Sequence, residues 1–214
     1  LLSIFGVMFL FGPILKKEKL ISIGGVLLLA ITALVGKYMI TGEILSDAQK
    51  SRFDYFNPCS KYETGGYQIC NGFIAINDGG LMGVGAGKSK QKYSYIPEPH
   101  TDSVFAIIAE EEGFLKCSVI FLLYIVVLYR ILNLASKAST LRGRYICLGV
   151  AVYIFMHIFL NLGGLFGLIP LTGVPLPFLS YGGSFTISLM VSLAMVQRIS
   201  VETKREKIRI PTLK

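Results

Sequence analysis

Charge is scarce in this sequence. Only 16% of its 214 residues are Asp, Glu, Lys or Arg, while 53% are hydrophobic; an ordinary soluble domain is about 25% charged. That balance excludes a disordered chain, which needs low hydrophobicity and high charge, and a coiled coil laced with charged heptad positions. Cysteine is scarce too, with four in all, too few for a disulfide-stapled miniprotein. Neither a Cys-x-x-Cys nor a His-Glu-x-x-His spacing occurs, so no protein-made zinc site is expected. The net charge is +8, yet no basic stripe interleaved with aromatics accompanies it. Nucleic acid is therefore not the expected partner.

What the chain has instead is long apolar blocks near the ~20 residues needed to cross a bilayer. They are Leu1 to Leu15, Leu20 to Ile40, Val104 to Leu134, Tyr145 to Ile169 and Tyr181 to Ile199. The first has neither Met nor a basic leader before it. It reads as a helix cut partway rather than as a signal peptide, so a longer protein is expected. Basic runs punctuate the blocks at Lys16 to Lys19, at Lys137, Arg142 and Arg144, and in the tail 200–214. If these face the cytoplasm, as positive charge does in membrane proteins, then Thr41 to Ser103 and Pro170 to Ser180 face outward. The expectation is an all-α, multi-pass plasma-membrane bundle: one membrane domain over 1–214, an extracellular loop over 41–103, and a cytoplasmic basic C-terminus.

Within the outer loop, Gln68 to Met82 is apolar but short and broken by glycines, which suits an interfacial or re-entrant piece. Pro170, Pro175, Pro177 and the glycines around them forbid a continuous helix between the last two spans. Irregular backbone at that depth survives only when protein buries it or water fills a cavity beside it. A cavity walled by these two loops is expected.

Several residues carry candidate chemistry. Gly79 to Ser89 superficially resembles a phosphate-binding P-loop, but Met82 stands where the first glycine belongs. Lys88, Lys90 and Lys92 read either as a solvated run or as a cationic rim for a phosphorylated ligand. Asp102, two residues after His100, fits a helix N-cap and equally a general base facing the cavity. A continuous helix from Ser103 to Leu134 would be ~48 Å long. It would set Glu110 about 80° round from Asp102, so that both face one cavity, which makes Glu110 the favoured second acid. His157 and Asn161 share a face and suit interhelical hydrogen bonding. Cys117 and Cys147 read as packing residues. Cys59 and Cys70 can pair if their compartment is oxidising.

Taken in order, the motifs resemble a known family. They are RFDYFNP at Arg52 to Pro58, GYQ at Gly66 to Gln68, GAGKSKQK ending at Lys92, PEPHTD at Pro97 to Asp102, Glu110 with Glu111, and LIPLTGVPLPFLSYGGS at Leu168 to Ser184. This pattern is similar to the C-terminal half of the SEDS proteins (shape, elongation, division and sporulation), whose members include FtsW and RodA. Ser103, Glu112, Thr172 and Phe185 depart from the usual pattern and leave the subfamily open. The resemblance implies about five spans of a ten-helix peptidoglycan glycosyltransferase that polymerises lipid II, partnered by a class B penicillin-binding transpeptidase. It places the family's essential aspartate on Asp102.

The expected reaction is an inverting transfer with Asp102 and Glu110 as catalytic residues. Lys88, Lys92, His100 and Ser180 would contact substrate, with or without a divalent cation (Mg or Mn) beside the lysines. The alternatives are a lipid II flippase, since broken helices and buried acids also suit transporters, and a non-catalytic scaffold for the transpeptidase.

Overall fold

The computed structural model describes residues 58–59, 66–96 and 99–209, together with Thr32 and Val35. The two apolar blocks before residue 41 and most of 41–65 lie outside the described residues. Among the described residues five helices follow one another: α1 (Tyr67–Gly79), α2 (Lys90–Ser94), α3 (Val104–Lys137), α4 (Leu141–Leu165) and α5 (Gly183–Arg209). No strand occurs among the described residues. Three of the described helices are long and apolar enough to cross a membrane, over Val104–Lys137, Leu141–Leu165 and Gly183–Glu206. The chain is an all-α, multi-pass membrane bundle.

The spans pack through a seam of apolar side chains. Ile131 and Ala135 of α3, Cys147, Ala151 and Ile154 of α4, and Leu189 and Val196 of α5 are all buried. The free thiols of Cys117 and Cys147 lie inside as packing residues. At the start of α4, Thr140 accepts a hydrogen bond from the Gly143 N–H at 3.1 Å, an N-cap.

α1, from the glycine-broken outer segment, lies along the first turns of α3. Its packing face is made of small residues, Gly72, Ala75 and Gly79, set against Ala106 and Ala109. Small side chains let the two backbones approach closely. A Cβ on Gly79 would sit 2.0 Å from the Ala109 carbonyl oxygen.

α3 differs from the continuous helix expected of it. At Gly113 the backbone leaves the helix, with φ 75° and ψ 177°, a region open essentially to glycine alone. The reason is a second chain segment laid into the gap. Val84 N–H donates to the Glu110 carbonyl at 2.9 Å and Gly85 N–H to the Glu111 carbonyl at 3.0 Å. Phe114 and Leu115 in turn donate to the carbonyls of Gly80 and Leu81 at 2.9 and 3.3 Å. Gly80 to Gly85 thus takes up the main-chain groups that the break releases, as buried backbone requires. A span interrupted this way is stable only because a neighbour completes its hydrogen bonding.

Candidate active site

The loop between α4 and α5 cannot be helical for want of donors and because of its prolines, so its carbonyls need partners elsewhere. Side chains from the spans supply them. The Tyr124 hydroxyl donates to the Pro177 carbonyl, and Asn161 Nδ2 donates to the Val174 carbonyl at 2.8 Å. His157 Nδ1 lies 3.2 Å from the Pro175 carbonyl, a contact that calls for the proton on that nitrogen. Ser180 turns the loop back, accepting from the Leu176 N–H at 2.8 Å while its hydroxyl donates to the Thr101 carbonyl. Tyr181 N–H donates to the His100 carbonyl at 2.8 Å. The proline-rich loop and the segment before α3 are therefore one stitched unit.

Asp102 sits at the centre of that unit, half-buried. It does not cap α3, whose N-cap is Ser103 and makes no side-chain cap bond. Its main-chain carbonyl accepts from Asn161 Nδ2 at 2.8 Å, so one buried amide ties Asp102 to Val174. Its carboxylate Oδ1 accepts from Gln68 Nε2 and from the Thr101 hydroxyl, each at 3.2 Å. The same Gln68 amide donates to Ser103 Oγ at 2.8 Å. Oδ2 faces Gly173, where a Cβ would come within 3.7 Å of it. No cation pairs with Asp102 among the described residues. The result is an oriented carboxylate with one oxygen held and the other unoccupied by any described donor.

His100 and Ser180 border a cleft of about 810 Å³ that also reaches Val104, Tyr181 and Thr186. The His100 side chain is exposed there. His100 and Ser180 line this cleft; Asp102 is not among its lining residues and is joined to it through the chain, where the Ser180 hydroxyl and the Tyr181 N–H donate to the Thr101 and His100 carbonyls.

Glu110, Lys88 and Lys92 belong to a different cluster. Glu110 is 1% exposed, and its carboxylate is enclosed by α2. Ser89 Oγ donates to Oε2 at 2.5 Å, the Lys90 N–H to Oε1 at 2.9 Å and the Gln91 N–H to Oε2 at 3.4 Å. Glu110 therefore does not share an open cavity with Asp102 as the helical-wheel argument expected. Lys92 Nζ lies 3.7 Å from Glu111 Oε1, whereas the Lys88 side chain is exposed. Among the described residues no three carboxylate, imidazole or thiolate groups converge on a point that could hold a metal.

Two contributors were not singled out for this site from sequence. Gln68 was noted only as the end of GYQ, and Asn161 only as a partner for another helix. The available signal was a polar residue opening an apolar helix in the first case, and an amide at mid-span depth beside a loop rich in unsatisfied carbonyls in the second. A second cavity, about 600 Å³ and almost wholly apolar, opens between α1, α3 and α4 at the Gly113 break, lined by Phe105, Phe114, Phe121, Leu162 and Phe166 among others.

Residues 1–205 match the FtsW/RodA/SpoVE family of cell cycle proteins. Among curated relatives, the Bacillus subtilis protein named "Probable peptidoglycan glycosyltransferase FtsW" is 39% identical over 188 residues, covering 87% of this chain and 46% of the relative. Stage V sporulation protein E of the same organism is 38% identical over 169 residues, covering 78% of this chain and 46% of the relative. The chain spans about half the length of these relatives. A solved structure, described as "Structural coordination of polymerization and crosslinking by a peptidoglycan synthase complex", matches with a TM-score of 0.64 and 26% identity, over 94% of this chain and 54% of its own. On the strength of that near-complete match, with the expected motifs in the expected order, this chain belongs to the FtsW/RodA/SpoVE family.

Proposed function

We propose that this chain carries the catalytic carboxylate of a peptidoglycan glycosyltransferase that polymerises lipid II, and that Asp102 is its general base. The observation that carries the reading is the state of Asp102: an oriented carboxylate with one oxygen engaged by Gln68 and Thr101, spared from helix capping. Oδ2 takes the proton of the acceptor sugar's 4-hydroxyl as that oxygen attacks the donor's anomeric carbon. The bond to the lipid pyrophosphate breaks as the glycosidic bond forms, with inversion. Lys88 and Lys92 are assigned the role of a cationic rim that opposes the departing charge, and His100 and Ser180 border the cleft that receives sugar. The apolar cavity beside α3 suits a polyprenyl chain.

The reading includes a topology and a partner. The segment 41–103 faces outward and the tail from residue 200 faces the cytoplasm, because that arrangement puts the basic runs inside. The partner is a class B penicillin-binding transpeptidase, in keeping with a structural neighbour described as coordinating polymerisation with crosslinking.

The test is Asp102→Asn in the full-length protein. Because Asp102 caps no helix, the variant should fold and bind its transpeptidase. Loss of a general base lowers turnover by about 10²–10⁴, so gel-resolved glycan product from purified protein and lipid II should vanish. Near-normal polymer from the variant would remove Asp102 from the chemistry. Absence of polymer from the unmutated protein, with transbilayer movement of lipid II instead, would favour a flippase.

A further inference from the structure

We infer that Glu110 is a positioning residue that docks α2, with Lys88 and Lys92, onto the broken end of α3, rather than a reacting acid. The inference rests on the glycosyltransferase reading for what the lysines are held to do. It stands on geometry for how they are held.

A helix of five residues has no means of holding itself together, since its first turn fixes dihedral angles for almost no internal hydrogen bonds. Its leading N–H groups have no partners within the helix. In α2 each of the first three finds one, two from another helix and the third from the N-cap Ser89. Lys90 N–H and Gln91 N–H donate to the two Glu110 oxygens, and Lys92 N–H donates to Ser89 Oγ at 3.0 Å. The Ser89 hydroxyl in turn donates a hydrogen bond to Glu110 Oε2 at 2.5 Å. One buried carboxylate therefore terminates every chain of donors at the start of α2.

The main chain at the same place does matching work. The carbonyls of Glu110 and Glu111, released by the break at Gly113, hold Val84 and Gly85. Glu111 Oε1 lies 3.7 Å from Lys92 Nζ. Both ends of the lysine-bearing segment are thus fastened to residues 110 and 111, one by carbonyls and the other by carboxylates. A carboxylate whose oxygens are already occupied by three donors is poorly placed to exchange a proton with a sugar.

The experiment uses the full-length protein with its transpeptidase, in Glu110→Gln, Ser89→Ala, Lys88→Met and the Glu110→Gln/Lys88→Met double variant. Amide exchange at Lys90, Gln91 and Lys92 and the rate of lipid II polymerisation are measured in each. Glu110→Gln should speed exchange at Lys90 and Gln91 by about tenfold or more, the scale of one lost hydrogen bond to a charged group, with mid-span α3 amides unchanged. Ser89→Ala should do the same at Lys92 and serves if the buried substitution impairs folding. Lys88→Met should lower polymerisation by about tenfold in the unmutated background and by less than about twofold once Glu110 is gone, because an undocked lysine has little left to lose.

Unchanged exchange in both Glu110→Gln and Ser89→Ala, or multiplicative losses in the double variant, would overturn the inference. Loss of polymer in Glu110→Gln as complete as in Asp102→Asn, with α2 amides still protected, would restore Glu110 as a reacting acid. If Asp102→Asn stays active while the exchange results hold, the base assignment fails and the docking role survives.

Discussion

Replacing Gly113 by alanine should unseat the glycine-rich segment from α3. At φ 75° and ψ 177° an L side chain is strained by about 1–3 kcal/mol. The added Cβ would also lie 2.3 Å from Gly83 N and 2.6 Å from the Leu81 oxygen. Both are main-chain atoms, so no rotamer change relieves them. If Gly80 to Gly85 withdraws, four inter-segment hydrogen bonds are lost, each worth about 0.5–1.5 kcal/mol. Alanine does let α3 run on as a regular helix and close its own bonds from Phe114 to Glu110 and Leu115 to Glu111, which returns roughly half of that. A regular α3 also relieves the strain at 113, so the expected net loss is ~2 kcal/mol, or a fall in apparent Tm of ~4–8 °C at 2–4 °C per kcal/mol. Gly87→Ala is the control: its φ is also +75° but nothing lies within 4 Å of its Cβ, so only ~1 kcal/mol of conformational cost applies. The assay is thermal unfolding in detergent, with amide exchange at Val84, Gly85, Phe114 and Leu115. Equal stability of the two variants, with those amides still protected in Gly113→Ala, would refute the reasoning.

Three further outcomes are expected. Cys59 and Cys70 are joined by a disulfide at a sequence separation of 11, so converting both to serine should cost ~3 kcal/mol by loop-closure entropy, and a reductant should lower the Tm of the unmutated protein but not of the variant. Asn161→Leu leaves the Asp102 and Val174 carbonyls without the donor they share; it should slow polymerisation by about tenfold or more and destabilise by about 1–3 kcal/mol per unpaired group, and full activity would show that Asp102 is placed without it. On intact spheroplasts an impermeant amine reagent should modify Lys61 and Lys88 but neither Lys137 nor Lys204, and an impermeant thiol reagent should reach the exposed Cys59 only after reduction; labelling of Lys137 and not Lys88 would invert the topology.

The last three spans were legible because some twenty mostly apolar residues in a row have few other uses. The irregular loop after α4 was legible from its prolines and glycines. Asp102 was legible as a candidate, and its cap reading fell away because Ser103 is the N-cap. The Gly113 break was not legible. A single glycine in an apolar helical run costs about 1 kcal/mol and is tolerated, and what makes this one a break is a segment some thirty positions earlier. Glu110 was misplaced for another reason. Asp102 precedes the N-cap Ser103 and so lies off the helical wheel of α3, and the partner that encloses the Glu110 carboxylate is a five-residue helix too short to leave any periodicity.

Asn161 failed to declare its role for a related reason. Its spacing from His157 identified a shared face correctly, but the acceptors that both side chains reach are main-chain carbonyls at Val174 and Pro175. Every residue but proline carries the same pair of main-chain groups, so which carbonyl is left wanting depends on where the chain stops being regular. Here those irregularities, at the start of α2 and along 166–182, are the places where Glu110 and Asn161 act. A polar residue deep in an apolar span is therefore best interpreted by asking which nearby backbone has lost its own partners, and only afterwards by asking which side chain it could meet.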